Sequence, residues 1–262
     1  MLKKTAVITG ASSGIGLELA RLIAADGYNL IVTARRADRL QQLAEELKSL
    51  HDTTVSIIEM DIAKPFAGDS LWQAILSITP DVDILVNNAG FGEASSFADE
   101  STENIERMIH LNISTLTSLT RQILPGMIKR ESGRILNVAS LAGFQPGGPG
   151  MSVYYASKSY VLSFSRSIRR ELSGTGVSVT TLCPGATQTE FEETANAQGT
   201  RLFNLAKPMD AKAVAIAGYR GLVRGCGVVI PGLMNKVLAY SVKISPTALA
   251  LEVNRFLLNK KR

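Results

Sequence analysis

The chain places a short apolar run directly before a glycine-rich loop in Thr5-Ala-Val-Ile-Thr9-Gly10-Ala-Ser-Ser-Gly14-Ile-Gly16. The apolar run predicts a buried strand, and residues 17–25 that follow have the spacing of an amphipathic helix. Glycines at such a turn let the backbone approach a pyrophosphate, whose charge is met by amides at the helix N-terminus. The spacing Gly-x-x-x-Gly-x-Gly differs from the common Gly-x-Gly-x-x-Gly motif, so a plain glycine turn is the alternative. The strand–loop–helix context favours a dinucleotide site.

Strands and helices alternate along the rest of the chain. Further short apolar runs begin near Tyr28, Val55, Val82, Arg134, Val177 and Gly227. Such alternation predicts parallel strands with ligands bound at their carboxyl ends. We therefore expect an α/β Rossmann fold with a doubly wound, mostly parallel seven-stranded sheet and helices on both faces. We expect a single dinucleotide-binding and catalytic domain over residues 1–262, with a substrate loop at about 186–207 and a C-terminal extension at about 231–262.

Composition supports this expectation. Of the 262 residues 45% are hydrophobic, and no charged tract or Pro- and Ser-rich linker divides them. The N-terminal apolar run is too short for a signal peptide, and no stretch approaches the roughly 18 apolar residues of a membrane-spanning helix. Cys183 and Cys226 match no metal spacing, so we expect buried free thiols, a reducing compartment and a cytoplasmic location.

Charge is distributed unevenly along the chain. Residues 1–200 have a balance of −4, whereas residues 201–262 have a balance of +9. Two amphipathic helices are predicted in this basic part, one over Leu233–Ile244 and one starting at Ser245-Pro246, where the serine would be the N-cap. Lys236, Lys243 and the terminal Lys260-Lys-Arg262 supply much of the charge.

We interpret this basic segment first as a solvated face with a helix packed on a partner subunit, in a homodimer or homotetramer. The alternatives are docking of an anionic, carrier-linked substrate and weak contact with an acidic lipid surface. Nucleic acid is not expected as a partner, because no recognition motif accompanies the charge.

A candidate catalytic pair lies in Val153-Tyr154-Tyr155-Ala-Ser-Lys158. Residues four apart share one face of a helix, so Tyr154 and Lys158 are predicted neighbours. The ammonium favours the phenolate, and we expect the pKa of Tyr154 to fall below the value of about 10 of a free phenol. Ser140 ends a predicted strand and could clamp a reacting carbonyl oxygen. Alone, Tyr-x-x-x-Lys also occurs on solvated helix faces, so the assignment depends on the cofactor site.

Two further features bear on that site. Arg35 and Arg36 follow the second predicted strand, where an acid would select NAD and arginine accommodates the 2′-phosphate of NADP. An exposed basic pair is the alternative. Asn112 falls inside a predicted helix, where its amide competes for backbone hydrogen bonds, which indicates either a kink or a functional role.

In combination these motifs resemble the short-chain dehydrogenase/reductase family, over about residues 4–230. The motifs are Thr9-Gly-Ala-Ser-Ser-Gly-Ile-Gly16, Asn87-Asn-Ala-Gly90, Asn112, Ser140, Tyr154-x-x-x-Lys158 and Pro184-Gly185. The resemblance implies that Tyr154 is the general acid/base, that Lys158 lowers its pKa and binds the nicotinamide ribose, and that Ser140 orients the substrate oxygen. It also implies that Asn112 kinks its helix and holds a water that links Lys158 to bulk solvent.

The resemblance implies NADP(H) as cofactor and no metal. The cofactor residues that we predict are Gly10, Ser12, Ser13, Gly14, Ile15, Gly16, Arg35, Arg36, Asp61, Ile62, Asn88, Ala89, Gly90, Tyr154, Lys158, Pro184, Gly185, Thr187 and Thr189. The nearest likeness within the family is to NADP-using carbonyl and 3-oxoacyl reductases, through Thr33-Ala-Arg-Arg36 and Cys183-Pro-Gly-Ala-Thr-Gln-Thr189.

The expected function is NADPH-dependent reduction of a ketone, aldehyde or 3-oxoacyl group to an alcohol. The alternatives are a catalytically silent NADP-sensing protein, an alcohol dehydrogenase working in the oxidative direction, and an epimerase. The presence of Ser140, Tyr154 and Lys158 argues against the silent protein, and epimerases usually have a longer chain with a separate substrate lobe. An apolar pocket, suited to lipophilic carbonyls, is predicted from Phe91, Phe144, Met151, Phe191, Phe203 and Leu205.

Overall fold

A computed structural model describes residues 3–201 and 208–259. Its strands are β1 (Thr5–Thr9), β2 (Asn29–Ala34), β3 (Val55–Glu59), β4 (Ile84–Asn87), β5 (Gly133–Val138), β6 (Val177–Leu182), β7 (Thr187–Gln188), β8 (Met209–Asp210) and β9 (Val228–Val229). Seven of them form one sheet in the order β3-β2-β1-β4-β5-β6-β9, and β7 pairs with β8 in a small second sheet. Every pair is parallel. The predicted doubly wound Rossmann fold is confirmed.

Helices cover both faces of the sheet. They are α1 (Gly14–Ala25), α2 (Ala37–Leu50), α3 (Ala67–Leu76), α4 (Thr102–Ile109), α5 (Leu116–Lys129), α6 (Ser152–Glu171), α7 (Phe191–Thr194), α8 (Ala211–Val223), α9 (Leu233–Ser241) and α10 (Thr247–Leu258). A π-helical segment, His110–Thr115, joins α4 to α5, and a 3₁₀ turn, Leu141–Phe144, follows β5. None of the helices in the described residues is long and apolar enough to cross a membrane.

Successive side chains point to opposite sides of a sheet, and the central strands β1, β2, β4, β5 and β6 are buried on both faces. Ile8 of β1 packs in one core cluster with residues of α1, α2 and α8. Val7, its neighbour, packs in a second cluster with residues of α3, α5 and α6. The buried strands thus form a rigid sheet, and the candidate site lies at their carboxyl ends.

Two local expectations are settled by these elements. Asn112 lies in the π-helical segment, so the predicted departure from regular helix is found.

The predicted Ser245 N-cap is wrong. Helix α10 begins at Thr247 without a side-chain cap, and the Ser245 hydroxyl instead donates a hydrogen bond to the Ser241 carbonyl at 2.9 Å. The hydroxyl thus supplies a hydrogen-bond donor to one of the last carbonyls of α9, which have no donor within the helix.

Candidate active site

The carboxyl ends of β1 and β4 are tied together by one threonine and one asparagine. The Thr9 hydroxyl accepts hydrogen bonds from the backbone amides of Asn88 at 3.0 Å and Ala89 at 3.1 Å. The Asn88 side-chain amide donates to the carbonyls of Thr9 and Gly10, at 2.9 and 3.1 Å. These bonds hold the Asn87–Gly90 turn against the glycine-rich loop.

Glycine is required at the loop for two reasons. Gly10 and Gly14 have φ of +69° and +57°, a region that side chains with a Cβ rarely adopt. At Gly16 the limit is space, since a Cβ there would lie 2.3 Å from the Gly10 carbonyl oxygen. The loop therefore turns tightly into α1, an arrangement in which amides at the helix N-terminus can meet a phosphate.

A cavity of about 770 Å³ runs across these strand ends. Every cofactor residue predicted from the sequence lines it except Gly16, which packs behind the loop. Ser140, Tyr154 and Lys158 line the same cavity. The structure therefore brings the predicted cofactor residues and the predicted reactive residues together at one cleft.

Tyr154 and Lys158 are both buried on α6. The Lys158 Nζ donates a hydrogen bond to the Val138 carbonyl at 3.1 Å and lies 5.7 Å from the centroid of the Tyr154 ring. That ring packs 5.2 Å from the ring of Phe191, and Gly92 is so close that a Cβ there would lie 2.8 Å from it. Ser140 caps the 3₁₀ turn by accepting from the Ala142 amide at 3.1 Å.

The expectation of a lowered tyrosine pKa is wrong for this structure. Burial raises the pKa of Tyr154 to about 12, and a hydrogen bond with the Ser140 side chain offsets this only in part. Burial also lowers the pKa of Lys158 to about 8, against a smaller opposing effect of Cys183. Loss of water disfavours the charged form of both groups, and it is the largest effect on the pKa of each.

Asn112 lies behind the cavity rather than in its wall. Its side-chain amide donates to the Phe91 carbonyl at 2.9 Å and to the Ser157 hydroxyl at 3.0 Å, and its oxygen accepts from the Phe91 amide at 3.2 Å. A Cβ on Gly90 would lie 3.0 Å from the Asn112 oxygen and 3.1 Å from the Lys158 Nζ. Asn112 thus ties the π-helical segment to the turn after β4 and to α6, next to Lys158.

The predicted arginines behave differently from each other. Arg35 is exposed in the cavity wall. Arg36 donates to the hydroxyls of Ser12 at 3.1 Å and Ser13 at 2.9 Å, and it pairs with Glu190 at 2.7 Å. Glu190 was missed by the sequence interpretation. It also pairs with Arg39 at 2.8 Å, and its hydrogen bond to Arg36 is the main cause of a lowered pKa.

Asp61 has a partner that the sequence did not reveal. Its carboxylate accepts from the Ala63 amide and from the Arg107 guanidinium, both at 3.1 Å. Burial alone would raise the pKa of Asp61, but these two donors outweigh it and hold the pKa below its usual value. Arg107 also lines the cavity. Its position on α4 gave no signal, because a charged residue there is equally typical of a solvated face.

The predicted apolar pocket is confirmed in part. Phe91, Met151 and Phe191 line the cavity. The placement of Phe144 there is wrong, because its ring packs away from the cavity on Tyr240, 6.2 Å between centroids, under the Arg166 guanidinium. The predicted residues Phe203 and Leu205 lie outside the described residues.

Residues of the C-terminal helices also line the pocket. Leu238 of α9 and Leu249, Val253 and Leu257 of α10 line the cavity. Asn254 holds α10 in position by donating to the Gly147 carbonyl at 2.7 Å. The sequence signal for this packing was Asn254, a polar residue within the apolar stripe of α10. A buried side-chain amide needs a hydrogen-bond partner, so Asn254 indicated contact with another element.

Tyr155 also lines the cavity. Its ring lies 6.2 Å from that of Tyr154, and burial raises its pKa. The sequence placed it about 100° around the helix from Tyr154, as an uninvolved neighbour. Both rings line the same cavity, so a substitution of Tyr155 would also alter it.

Comparison with known proteins places these features in context. Residues 4–200 match the family model described as short chain dehydrogenase. The ketoacyl reductase HetN of Nostoc sp. is 32% identical over 252 residues, which cover 94% of this chain and 86% of that protein. A short-chain dehydrogenase from Sphingobium yanoikuyae, solved in complex with NADPH, is 32% identical with a TM-score of 0.83 and covers 94% of both chains. A bulky-bulky ketone specific alcohol dehydrogenase from Comamonas testosteroni is 30% identical with a TM-score of 0.77, covering 92% of this chain and 93% of that one.

Proposed function

The chain belongs to the short-chain dehydrogenase family, and we propose that it reduces lipophilic carbonyl compounds to alcohols with NADPH. The observation that carries the proposal is the single cleft that holds the glycine loop, Arg36, Ser140, Tyr154 and Lys158. The roles of these residues and the reductive direction of the reaction are both part of what we propose. It is supported by the NADPH-bound relative from Sphingobium yanoikuyae and by the ketoacyl reductase HetN.

The residues present fit a phosphorylated dinucleotide. A Cβ at Gly10, Gly14 or Gly16 would clash with neighbouring protein atoms, so these glycines permit the tight loop that a pyrophosphate site needs. Arg35 and Arg36 line the cavity beyond the end of β2, where the 2′-phosphate of NADP is expected. Asn88 and Gly90 would flank the adenosine, and the segment from Pro184 to Thr189 would flank the nicotinamide and pyrophosphate.

The chemistry that NADPH brings when bound is donation of a hydride to the carbonyl carbon. Tyr154 then supplies the proton from its hydroxyl to the carbonyl oxygen, while the Ser140 hydroxyl donates a hydrogen bond to that oxygen. Lys158, buried one turn along α6, stabilises the phenolate that remains. Asn112 positions the backbone around Lys158 through Phe91 and Ser157.

The titration of the tyrosine supports the reductive direction. With a pKa raised to about 12, Tyr154 keeps its proton at neutral pH and is available as an acid. Oxidation of an alcohol would need the phenolate as base, a form that burial disfavours. An alcohol dehydrogenase that works in the oxidative direction at higher pH is the alternative.

The cavity lining supports lipophilic substrates. Phe91, Met151 and Phe191 pack near Tyr154 and line the cavity, and Leu249 and Leu257 of α10 line it as well. Such a lining favours bulky ketones, aldehydes or 3-oxoacyl groups over small charged acids.

The proposal is tested by following NADPH consumption by the purified chain over a panel of aldehydes, ketones and 3-oxoacyl thioesters, with NADH in parallel. We expect turnover of bulky lipophilic carbonyls and a clear preference for NADPH. The preference should disappear in the Arg35→Ala/Arg36→Ala variant, whose affinity for NADH should stay unchanged. Binding of NADPH without turnover of any carbonyl would identify a silent binding protein, and equal use of NADH would contradict the role of the arginines.

A further inference from the structure

Helices α9 and α10 and the turn between them expose large apolar side chains. Six of them, which we call the apolar patch, are 48–88% exposed: Leu233, Met234, Val237, Ile244, Val253 and Phe256. Exposed apolar side chains that occur singly are ordinary on protein surfaces, whereas a contiguous group marks a binding surface. Val253 and Phe256 lie three apart and Leu233 and Val237 four apart, so each helix presents a stripe.

The mouth of the active-site cavity opens beside this patch. Leu238, Leu249 and Val253 are each about half exposed, and each also lines the cavity. The same two helices therefore line the cavity with some apolar side chains and expose others to solvent. A lipophilic ligand that approaches these helices would meet exposed apolar side chains next to those that line the cavity.

Basic residues flank the patch. From residue 233 to the end, the sequence has six Lys and Arg against one acid, Glu252. The acid is already paired with Arg255 at 2.6 Å. Lys236 and Lys243 are exposed, and the Lys243 Nζ lies 5.2 Å from the centroid of the Tyr240 ring. Long basic side chains beside apolar and aromatic ones are typical of helices that lie in a membrane interface.

We propose that the apolar patch docks on an anionic lipid surface, with the mouth of the cavity facing that surface. Charge favours this occupant over a second copy of the chain. Two copies related by a two-fold axis through the patch would set Lys236 and Lys243 against the same lysines, with no free acid on these helices to compensate. A second copy would also cover the cavity mouth, whereas a lipid surface would supply lipophilic molecules to it. The docking does not depend on the reaction proposed above.

The test measures binding of the full chain to vesicles and requires no turnover. Neutral phosphatidylcholine vesicles are compared with vesicles that contain phosphatidylglycerol, by co-sedimentation at low and at moderate salt. We expect binding to the anionic vesicles that weakens as salt increases. The Lys236→Gln/Lys243→Gln variant should bind these vesicles about tenfold more weakly.

The apolar contribution is tested with Met234→Ser/Val237→Ser/Ile244→Ser, three exposed positions outside the cavity lining. We expect at least about a tenfold loss of vesicle binding. The matched control is Leu50→Ser/Phe66→Ser/Ile78→Ser, which removes three exposed apolar side chains elsewhere and should bind as the wild type. Absence of binding to anionic vesicles, or an equal loss in the control, would overturn the proposal. The proposal would also be overturned if the wild-type chain self-associates without binding vesicles and Met234→Ser/Val237→Ser/Ile244→Ser abolishes that self-association. The patch would then join two copies of the chain.

Discussion

At the scale of single residues, the site depends on two groups whose burial works against their charged forms. Tyr154 has a pKa raised to about 12 and Lys158 a pKa lowered to about 8. The neutral phenol is the form that donates a proton, and the ammonium is the form that stabilises the phenolate left behind. The two groups are therefore both in their useful state below about pH 8.

These values predict how reduction depends on pH. Below its pKa of about 8, Lys158 is protonated, and above it the ammonium is lost while Tyr154 still holds its proton. We therefore expect kcat/KM for reduction to be level at neutral pH and to fall above about pH 8 with the slope of one proton. Initial rates with saturating NADPH, measured from about pH 6 to about pH 10, check this. A profile that stays level across that range would show that the charge of Lys158 is not needed.

The residue scale also shows what a sequence can reveal about a site. Gly10, Gly16, Tyr154 and Lys158 could be placed because their roles depend on local spacing. Glu190 and Arg107 could not, because each acts through a partner distant in the chain, Arg36 and Asp61 respectively. The tyrosine pKa was predicted in the wrong direction since one neighbouring charge was known and the extent of burial was not.

At the scale of elements, the segment from β7 to α7 links the two halves of the cleft. Thr189 contacts the loop at Gly14, where a Cβ would lie 2.9 Å from its methyl group. Glu190 pairs with Arg36, and Phe191 packs on the Tyr154 ring. The segment thus touches the expected 2′-phosphate site and the reactive tyrosine within three consecutive residues.

This arrangement predicts that Glu190 competes with the 2′-phosphate for Arg36. Glu190→Gln removes the competing carboxylate, and an ion pair this exposed is worth about 1 kcal/mol or less. We expect NADPH to bind about two- to fivefold more tightly, with no change for NADH. Fluorescence titration of both cofactors measures this, with Glu193→Gln, a nearby exposed acid, as the control. Weaker NADPH binding in the Glu190 variant would mean that Glu190 instead holds Arg36 in place for the phosphate.

Element boundaries were predicted to within a few residues where the pattern was regular, as for the helix at residues 17–25, which is α1, and for α9, predicted over Leu233–Ile244. The irregular elements were not predicted in form. Asn112 indicated a disturbed helix, but a π-helical segment depends on the contacts of Asn112 with Phe91 and Ser157 across the fold. The end of α9 is similar, since Ser245 could cap either helix and its orientation decides between them.

At the scale of the whole molecule, the fold follows from the alternation of apolar runs and amphipathic helices. The strand order and the parallel pairing agree with that expectation. The C-terminal helices were recognised as amphipathic, but the side chains with which they line the cavity were not, because these depend on tertiary contacts such as that of Asn254 with Gly147. That position gives the molecule an apolar cavity beside a basic and apolar surface.

The central claim is that Tyr154 donates the proton during NADPH-dependent carbonyl reduction. The most direct measurement compares turnover and NADPH affinity of Tyr154→Phe with those of Tyr160→Phe. Tyr160 is on the same helix, but its hydroxyl bonds to Thr117 at 3.0 Å and is no part of the cavity lining. We predict that Tyr154→Phe binds NADPH as the wild type does and loses about 100- to 10,000-fold in turnover, while Tyr160→Phe keeps both. Turnover of Tyr154→Phe close to that of the wild type would contradict the account.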